Sequence, residues 1–296
     1  MQHRSAIVPP LLILHFVILA WAFTAVLGKL ISLPALDMVV WRTALAALSF
    51  LVLSGVLRSP LRLPWADVWK LLGIGALLGV HWVTFFLSGR LATASVSLAA
   101  MPTLMIWCSL IEPLVNGTRR WSRVELIVGV VTVGAVWLIY AVEMRYWLGF
   151  SVGLFSAVFA AVYAVTNKQV VTRFRFVTLC TYQMAGACLA TVLLLPLTAG
   201  RFVPLWPDRE DFGWLLLFAF GCTVLPYAAF VRVTRQLSVF TINVVYNLEP
   251  LYGIALATLV FGAAERMTPG FYAGAATIVV SVIMIPWLQT RVKGER

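Results

Sequence analysis

Apolar residues run along this chain in blocks of about 20, divided by short polar stretches, without the three-to-four-residue alternation of a helix that has one wet face. A helix of that length crosses roughly 30 Å of hydrocarbon. Ten blocks are legible: Val8–Gly28, Ala35–Leu57, Val68–Ser88, Ala92–Val115, Val124–Val142, Trp147–Asn167, Phe176–Leu197, Phe212–Arg232, Leu237–Gly262 and Pro269–Leu288. They predict an all-α membrane protein of ten transmembrane helices with little left over for a soluble domain. Five blocks lie on each side of a break near Arg145, dividing the chain into a first unit over 1–144 and a second over 145–296. An odd number of spans per unit makes the second enter the membrane with opposite orientation, so the pattern predicts two inverted five-helix repeats.

Two spans break the apolar pattern in matching ways. Span four opens on Leu91-Ala92-Thr93-Ala94-Ser95-Val96-Ser97 and span nine on Leu237-Ser238-Val239-Phe240-Thr241-Ile242-Asn243, with Pro102 and Pro250 following 11 and 13 residues after the matching leucines. Proline-interrupted spans at corresponding places in two halves point to a transporter binding site. In span nine a carboxylate precedes the proline, in Tyr246-Asn247-Leu248-Glu249-Pro250-Leu251-Tyr252-Gly253. An ionisable group near mid-span costs about 2.5–3.5 kcal/mol on insertion scales, which marks Glu249 as functional. Glu112-Pro113-Leu114 repeats the Glu-Pro-Leu tripeptide near the other end of span four, so Glu112 is not its equivalent.

Hydrophobic residues make up 62% of the chain and charged residues 11%, which excludes an ordinary soluble domain. The net charge of +11 raises nucleic acid as a partner, but the distribution of charge argues against it. With the first loop outside, 15 of the 22 lysines and arginines fall in inside segments and six outside, with Arg42 within a span. This bias predicts a multi-pass protein of the cell inner (plasma) membrane with both termini cytoplasmic, its basic face meeting anionic lipid. The first block is longer than a cleavable leader's apolar core and is expected to stay as a span. Cys108, Cys180, Cys188 and Cys222 lie inside spans without metal or redox spacing, so no metal and no cofactor is expected. Gly28-Lys29 lacks the rest of a phosphate loop, so energy is expected from a gradient or from the solute itself. No paired acids or His–acid cluster stands at either interface, which weighs against an enzyme.

Trp41-Arg42 in span two, Leu91-Ala92-Thr93-Ala94-Ser95-Val96 in span four and Tyr246–Gly253 in span nine resemble the EamA branch of the drug/metabolite transporter superfamily. The resemblance covers the whole chain. It implies a central cavity between two five-span halves, and relatives include bacterial exporters of amino acids and other metabolites. One departure is Met101-Pro102-Thr103, where small or hydroxyl residues are common in the family.

Helical rotation of about 100° per residue places Tyr246 and Tyr252 on the face of Glu249, with Asn243 and Asn247 turned away as interhelical glue. Glu249, Tyr246, Tyr252 and Pro250 thus form the first part of the expected substrate-binding and coupling set. Glu249 either pairs with a substrate amine, carries a proton, or holds the kink by bonding the freed Tyr246 carbonyl. His81, with Trp82 adjacent and Thr84, Phe85 and Ser88 on its face, either relays a proton or binds a carboxylate, or is a satisfied core histidine. Tyr163, on a stripe with Ser156, Phe159 and Asn167, and Tyr227, beside Thr223 and Pro226, complete the set as stacking and hydrogen-bonding groups. Arg42 is expected to snorkel or pair with Asp37, and Glu112 to pair with Arg119 or Arg120. Gly75/Gly79, Gly149/Gly153 and Gly270/Gly274 allow close helix contact within a monomer or across a homodimer. Together these features predict a secondary transporter, a permease or exporter that moves small amphipathic metabolites, amino acids among them, by alternating access. The alternative is a flippase-like carrier of a lipid-linked substrate.

Overall fold

The computed structural model describes residues 9–117, 123–234, 236–237 and 239–294. They form ten helical rods, three of them interrupted, and no strand. The uninterrupted rods are α1 (Pro10–Leu30), α2 (Ala35–Val56), α3 (Trp65–Leu91), α6 (Arg123–Val142), α7 (Trp147–Lys168), α8 (Phe176–Thr198) and α13 (Pro269–Gly294). Span four is α4 (Ala94–Ala100) and α5 (Leu104–Asn116), span eight is α9 (Arg209–Leu216) and α10 (Leu225–Thr234), and span nine is α11 (Val239–Tyr246) and α12 (Glu249–Phe261). Seven helices are long and apolar enough to cross a membrane, and Ile127–Val142 and Pro269–Ser281 are shorter apolar helices. The residues between rods set these limits. Prolines 9, 34 and 64 immediately precede α1, α2 and α3, with fixed φ values that prime the first turn. Thr93 and Asp208 cap α4 and α9 by accepting from Val96 and Asp211 amides, and Gly117 ends α5 in the left-handed conformation.

The interruptions fall where the sequence loses a backbone donor. Pro102 sits in a single 3₁₀ turn, Met101–Thr103, between α4 and α5. Pro250 is the second residue of α12, after α11 has ended at Tyr246. Both spans therefore contain a short helix and a 13-residue helix, in the order 7 then 13 and 8 then 13. Span eight carries a break that periodicity does not reveal. Residues Leu217–Val224 form a π-helical stretch just before Pro226. Proline at that position deprives the Cys222 carbonyl of its usual donor, and the ladder widens in the preceding turns.

The rods pack mainly across the two units. α3 lies against α7 and α8, α2 against α8 and the π-helical stretch, α1 against α10 and α12, α7 against α4 and α5, and α6 against α13. Glycines permit the closest approaches. A Cβ on Gly75 would strike the Gln183 backbone, and one on Gly186 the Leu72 backbone, so α3 and α8 touch main chain to main chain. Gly149 and Gly153 meet Ala92 and Ala100, while Gly270 and Gly274 meet Val142 and Ile139. All three predicted glycine pairs are thus used inside the monomer. One buried cluster, with Met38, Phe50, Phe86, Met184 and Phe218, fills the space among spans one to three, seven and eight. Another, with Val96, Ile139, Phe150 and Phe271, joins spans four, five, six and ten. Large apolar side chains such as Val130, Trp137, Leu193 and Leu259 point outward, as suits helices surrounded by lipid.

Candidate functional site

The near end of the bundle is where α1 begins and α13 finishes, and the far end is where α1 ends. Four buried carboxylates stand at the far end, and each ties the first unit to the second. Asp37 of α2 holds the Arg201 guanidinium through two bonds of 2.5 Å and accepts from the Leu205 amide at 2.8 Å. Asp211 of α9 accepts from the amides of Ser32 and Leu33 and from the Ser32 hydroxyl, at 2.7–3.1 Å. Glu143 accepts from the Thr268 amide at 2.8 Å. Glu265, in the turn after α12, accepts from Lys29 at 2.7 Å, the Ala94 and Ser95 amides at 3.0 and 2.9 Å, and the Ser95 hydroxyl at 2.8 Å. Burial raises the Glu265 carboxyl, but the Lys29 ammonium and the Ser95 and Ala94 donors outweigh it and hold the group below its ordinary value. Trp41 adds a bond to the Leu205 carbonyl and stacks near Trp206.

Spans four and nine join the same far-end seal. α4 packs on α12, where a Cβ on Gly253 would come within 2.5 Å of Leu98 Cδ1. Their other halves diverge: α5 goes to α7, while α11 goes to α1 and α13. Tyr246 at the end of α11 is consequently exposed. A row of aromatic side chains runs from it into the bundle. Trp21 of α1 lies between Tyr246, Tyr227 and Phe230, with ring centroids 6.0, 5.6 and 5.2 Å away.

The predicted residues distribute around this row as follows. Glu249 is half-buried at the start of α12, within electrostatic range of Tyr246 and Tyr227. A helix N-terminus favours a carboxylate there. Pro250 is buried behind it. Because the helix is broken at Asn247–Leu248, face arithmetic for a continuous helix does not carry across the break. Tyr252 turns to α1, its hydroxyl 2.8 Å from His15 Nδ1, and Asn247 is buried, while the Asn243 side chain lies outside the described residues. Tyr163 and Tyr227 come within interaction range of each other, and Tyr163 donates to Gln183, which donates to Asn167 at 2.7 Å. His81 is bound to α7: Nδ1 is 2.8 Å from Ser156 Oγ and 3.1 Å from the Ser156 carbonyl, and Ser156 Oγ donates to the His81 carbonyl. These acceptors assign the proton to Nδ1 and leave Nε2 as the acceptor.

Arg42 departs from expectation. Asp37, its expected partner, is taken by Arg201, and Arg42 instead points inward, 2% exposed. Its guanidinium lies 3.8 Å from the Trp82 ring centroid and 4.2 Å from that of Phe218. Nε donates to Thr223 Oγ1 at 3.0 Å, and Thr223 in turn donates five residues back to the Phe218 carbonyl, a bond that the π-helical stretch makes available. Nη1 has no hydrogen-bond partner. Leaving a buried donor unmade costs about 1–3 kcal/mol, and more when it is charged, which the two rings offset only in part. Tyr227 lies within electrostatic range of both Arg42 and Glu249. Trp21, on the other side of Tyr227, also has an unpartnered buried N–H. The signal for Arg42 was its charge inside a span. For Trp21, a lone mid-span indole, no pattern distinguished it from packing. Glu112 pairs with Lys168 at 2.9 Å, and Arg119 and Arg120 lie outside the described residues. Among the described residues, no three of His, Cys, Asp and Glu are grouped to hold a metal ion.

This architecture, a bundle of apolar rods with ionisable groups turned inward and three interrupted spans, defines a multi-pass helical membrane protein. Residues 147–287 match the EamA-like transporter family. That second half is thus similar to EamA-like transporters, which are part of the drug/metabolite transporter superfamily. The family is one of membrane transporters, not of enzymes. A solved structure described as "Crystal structure of protein" is similar in fold, with a TM-score of 0.65 over 95% of this chain and 98% of that one, at 15% identity. No curated protein matches the chain in sequence.

Proposed function

We propose that the chain is a secondary transporter, a permease or exporter that moves small amphipathic metabolites across the cell inner membrane by alternating access between two inverted five-span repeats. The observation that carries this reading is the behaviour of spans four and nine, which pack through α4 and α12 at the far end and separate through α5 and α11 at the near end. An exchange of spans one to five with six to ten also supports it. Under that exchange the α1–α12 contact becomes α7–α5, the packing of α2 on span eight becomes that of α8 on α3, and the α2–α8 and α6–α13 pairs map onto themselves. Among the contacts that lack a counterpart of similar extent is α4–α12, as expected of one state in a cycle that opens each end in turn.

Basic residues gather in the near-end segments, which makes that end cytoplasmic and this the inward-open state. Glu249 then stands within electrostatic range of Tyr246 and Tyr227, available to a substrate amine or a proton. The test is counterflow in proteoliposomes with labelled amino acids, nucleosides and organic cations. Exchange of one class supports the carrier. Rapid lipid scrambling with no exchange of any solute overturns it in favour of the flippase-like alternative. Glu249→Gln is expected to abolish the pH dependence of exchange while leaving expression and monodispersity intact; unchanged rate and pH response would reduce Glu249 to a helix-start residue.

A further inference from the structure

We infer that Arg42 is the site that takes the carboxylate of the transported solute, so that the substrate class is carboxylate-bearing. The inference rests on the carrier reading and specifies which group of the solute is held, and where. Three features of the geometry lead to it. Nη1 is an unpartnered donor on a side chain that is 98% buried in a low-dielectric interior, where an unmatched charge is costly. The side chain is also positioned: Trp82 and Phe218 cover its faces and Thr223 holds Nε, leaving an edge of the guanidinium as the interacting surface. That position depends on the π-helical turn of span eight, an irregularity that recurs at functional sites.

The chemistry of the surroundings selects the ligand. Arg42 and Trp21 flank Tyr227 and each presents a buried N–H without an acceptor, so the missing partner is acceptor-rich. A structural role would fill that edge with a carboxylate of the chain, yet Asp37 is committed to Arg201 and Asp211 to the first loop. Among the described residues no lysine or second arginine contacts the Arg42 guanidinium, whose recorded partners are Thr223, Trp82, Phe86 and Phe218. A single arginine matches a monoanionic carboxylate better than a phosphate dianion. Exposure falls from Tyr246 through Trp21 and Tyr227 to Arg42, which makes the guanidinium the most buried member of this row. A solute entering from the near end would reach it last.

The test uses the full chain in detergent, with thermal shift read against phenylalanine, tryptophan, leucine and glutamate, their amides, the corresponding decarboxylated amines, and inorganic phosphate. Wild type is expected to be stabilised by at least one acid and not by its amide or amine. Arg42→Gln should weaken that acid by about 30-fold or more, with Arg42→Lys intermediate. Equal shifts with acid and amide, an unchanged affinity in Arg42→Gln, a response to phosphate alone, or no response to any acid up to tens of millimolar would each overturn the inference. If Arg42→Gln does not fold, the acid–amide comparison on wild type and on Arg42→Lys decides. Counterflow of the same compounds separates the two proposals. Acid binding without exchange sinks the carrier and leaves Arg42 as an anion site, whereas equal exchange of acids and amides sinks only the role of Arg42.

Discussion

Two ion pairs occupy positions that an exchange of the halves would interconvert, and they differ in almost every respect. At the far end, Lys29 at the close of span one meets Glu265 just beyond span nine. At the near end, Lys168 at the close of span six meets Glu112 in the last turns of span four. Glu265 is fully buried and accepts four hydrogen bonds, three of them from the start of α4. Lys168 is 71% exposed and its contact with Glu112 is a single bond. The same residue types, each at the end of a span, thus form a buried, multiply bonded pair at one end and a pair with a largely exposed lysine at the other. Composition does not distinguish the two pairs; the burial of their side chains does.

The comparison is broken most directly at Glu265. Glu265→Ala is expected to lower stability by about 3 kcal/mol, because it leaves Lys29 and the first amides of α4 without an acceptor. Thermal unfolding in detergent measures the loss, and a change under about 1 kcal/mol would remove the closure's energetic role. Acid should act in the same direction with a smaller effect, since protonation cancels the charge and keeps a carboxyl in place. The Glu265 carboxyl is held below its ordinary value in the folded chain, so its contribution is complete above the unfolded value of about 4.3 and is lost as pH falls through the lower, folded value. Melting temperature followed from pH 7 to pH 3 should therefore decline more steeply in wild type than in Glu265→Gln. Parallel curves would show that the carboxylate charge is not what secures the far end. Glu112→Gln is the smallest change, expected within about 1 kcal/mol of wild type because the pair faces solvent. A loss as large as that of Glu265→Ala would make the near-end pair a closure as well.

Much of the architecture was legible because hydrocarbon imposes a simple rule on length and polarity. The ten apolar blocks correspond to the ten rods, although α3 runs from Trp65 to Leu91 rather than from Val68 to Ser88. Its longer end lets Arg90 fold over the Gly28 and Ile31 carbonyls that finish α1. Pro102 and Pro250 announced their breaks because proline lacks a donor wherever it stands. The π-helical stretch was not legible: widening over Leu217–Val224 depends on how the turns before Pro226 settle around Arg42. For Arg42 the sequence offers snorkelling or pairing with Asp37, five residues away, whereas the partner of Asp37 is Arg201, 164 residues away, and Arg42 turns inward. His81 was left between relay and core, and Ser156 of another span satisfies its Nδ1. The far-end acids are not legible as a set because each one has partners in the other half of the chain. Pattern along a sequence reports what a residue is next to in the chain, and these closures are made across it.

That long reach has a consequence for biogenesis. Lys29 and Ala94 emerge from the ribosome well before Glu265, which lies 236 and 171 residues further on. Until then the start of α4 has no acidic cap, Ser32 and Leu33 must wait for Asp211, and Asp37 for Arg201. The first five spans thus enter the bilayer with their far-end amides and charges unmatched, and each is matched only as the second half is made. The order of synthesis makes far-end closure one of the last events of assembly, and a chain truncated before Glu265 would lack the residue that completes it.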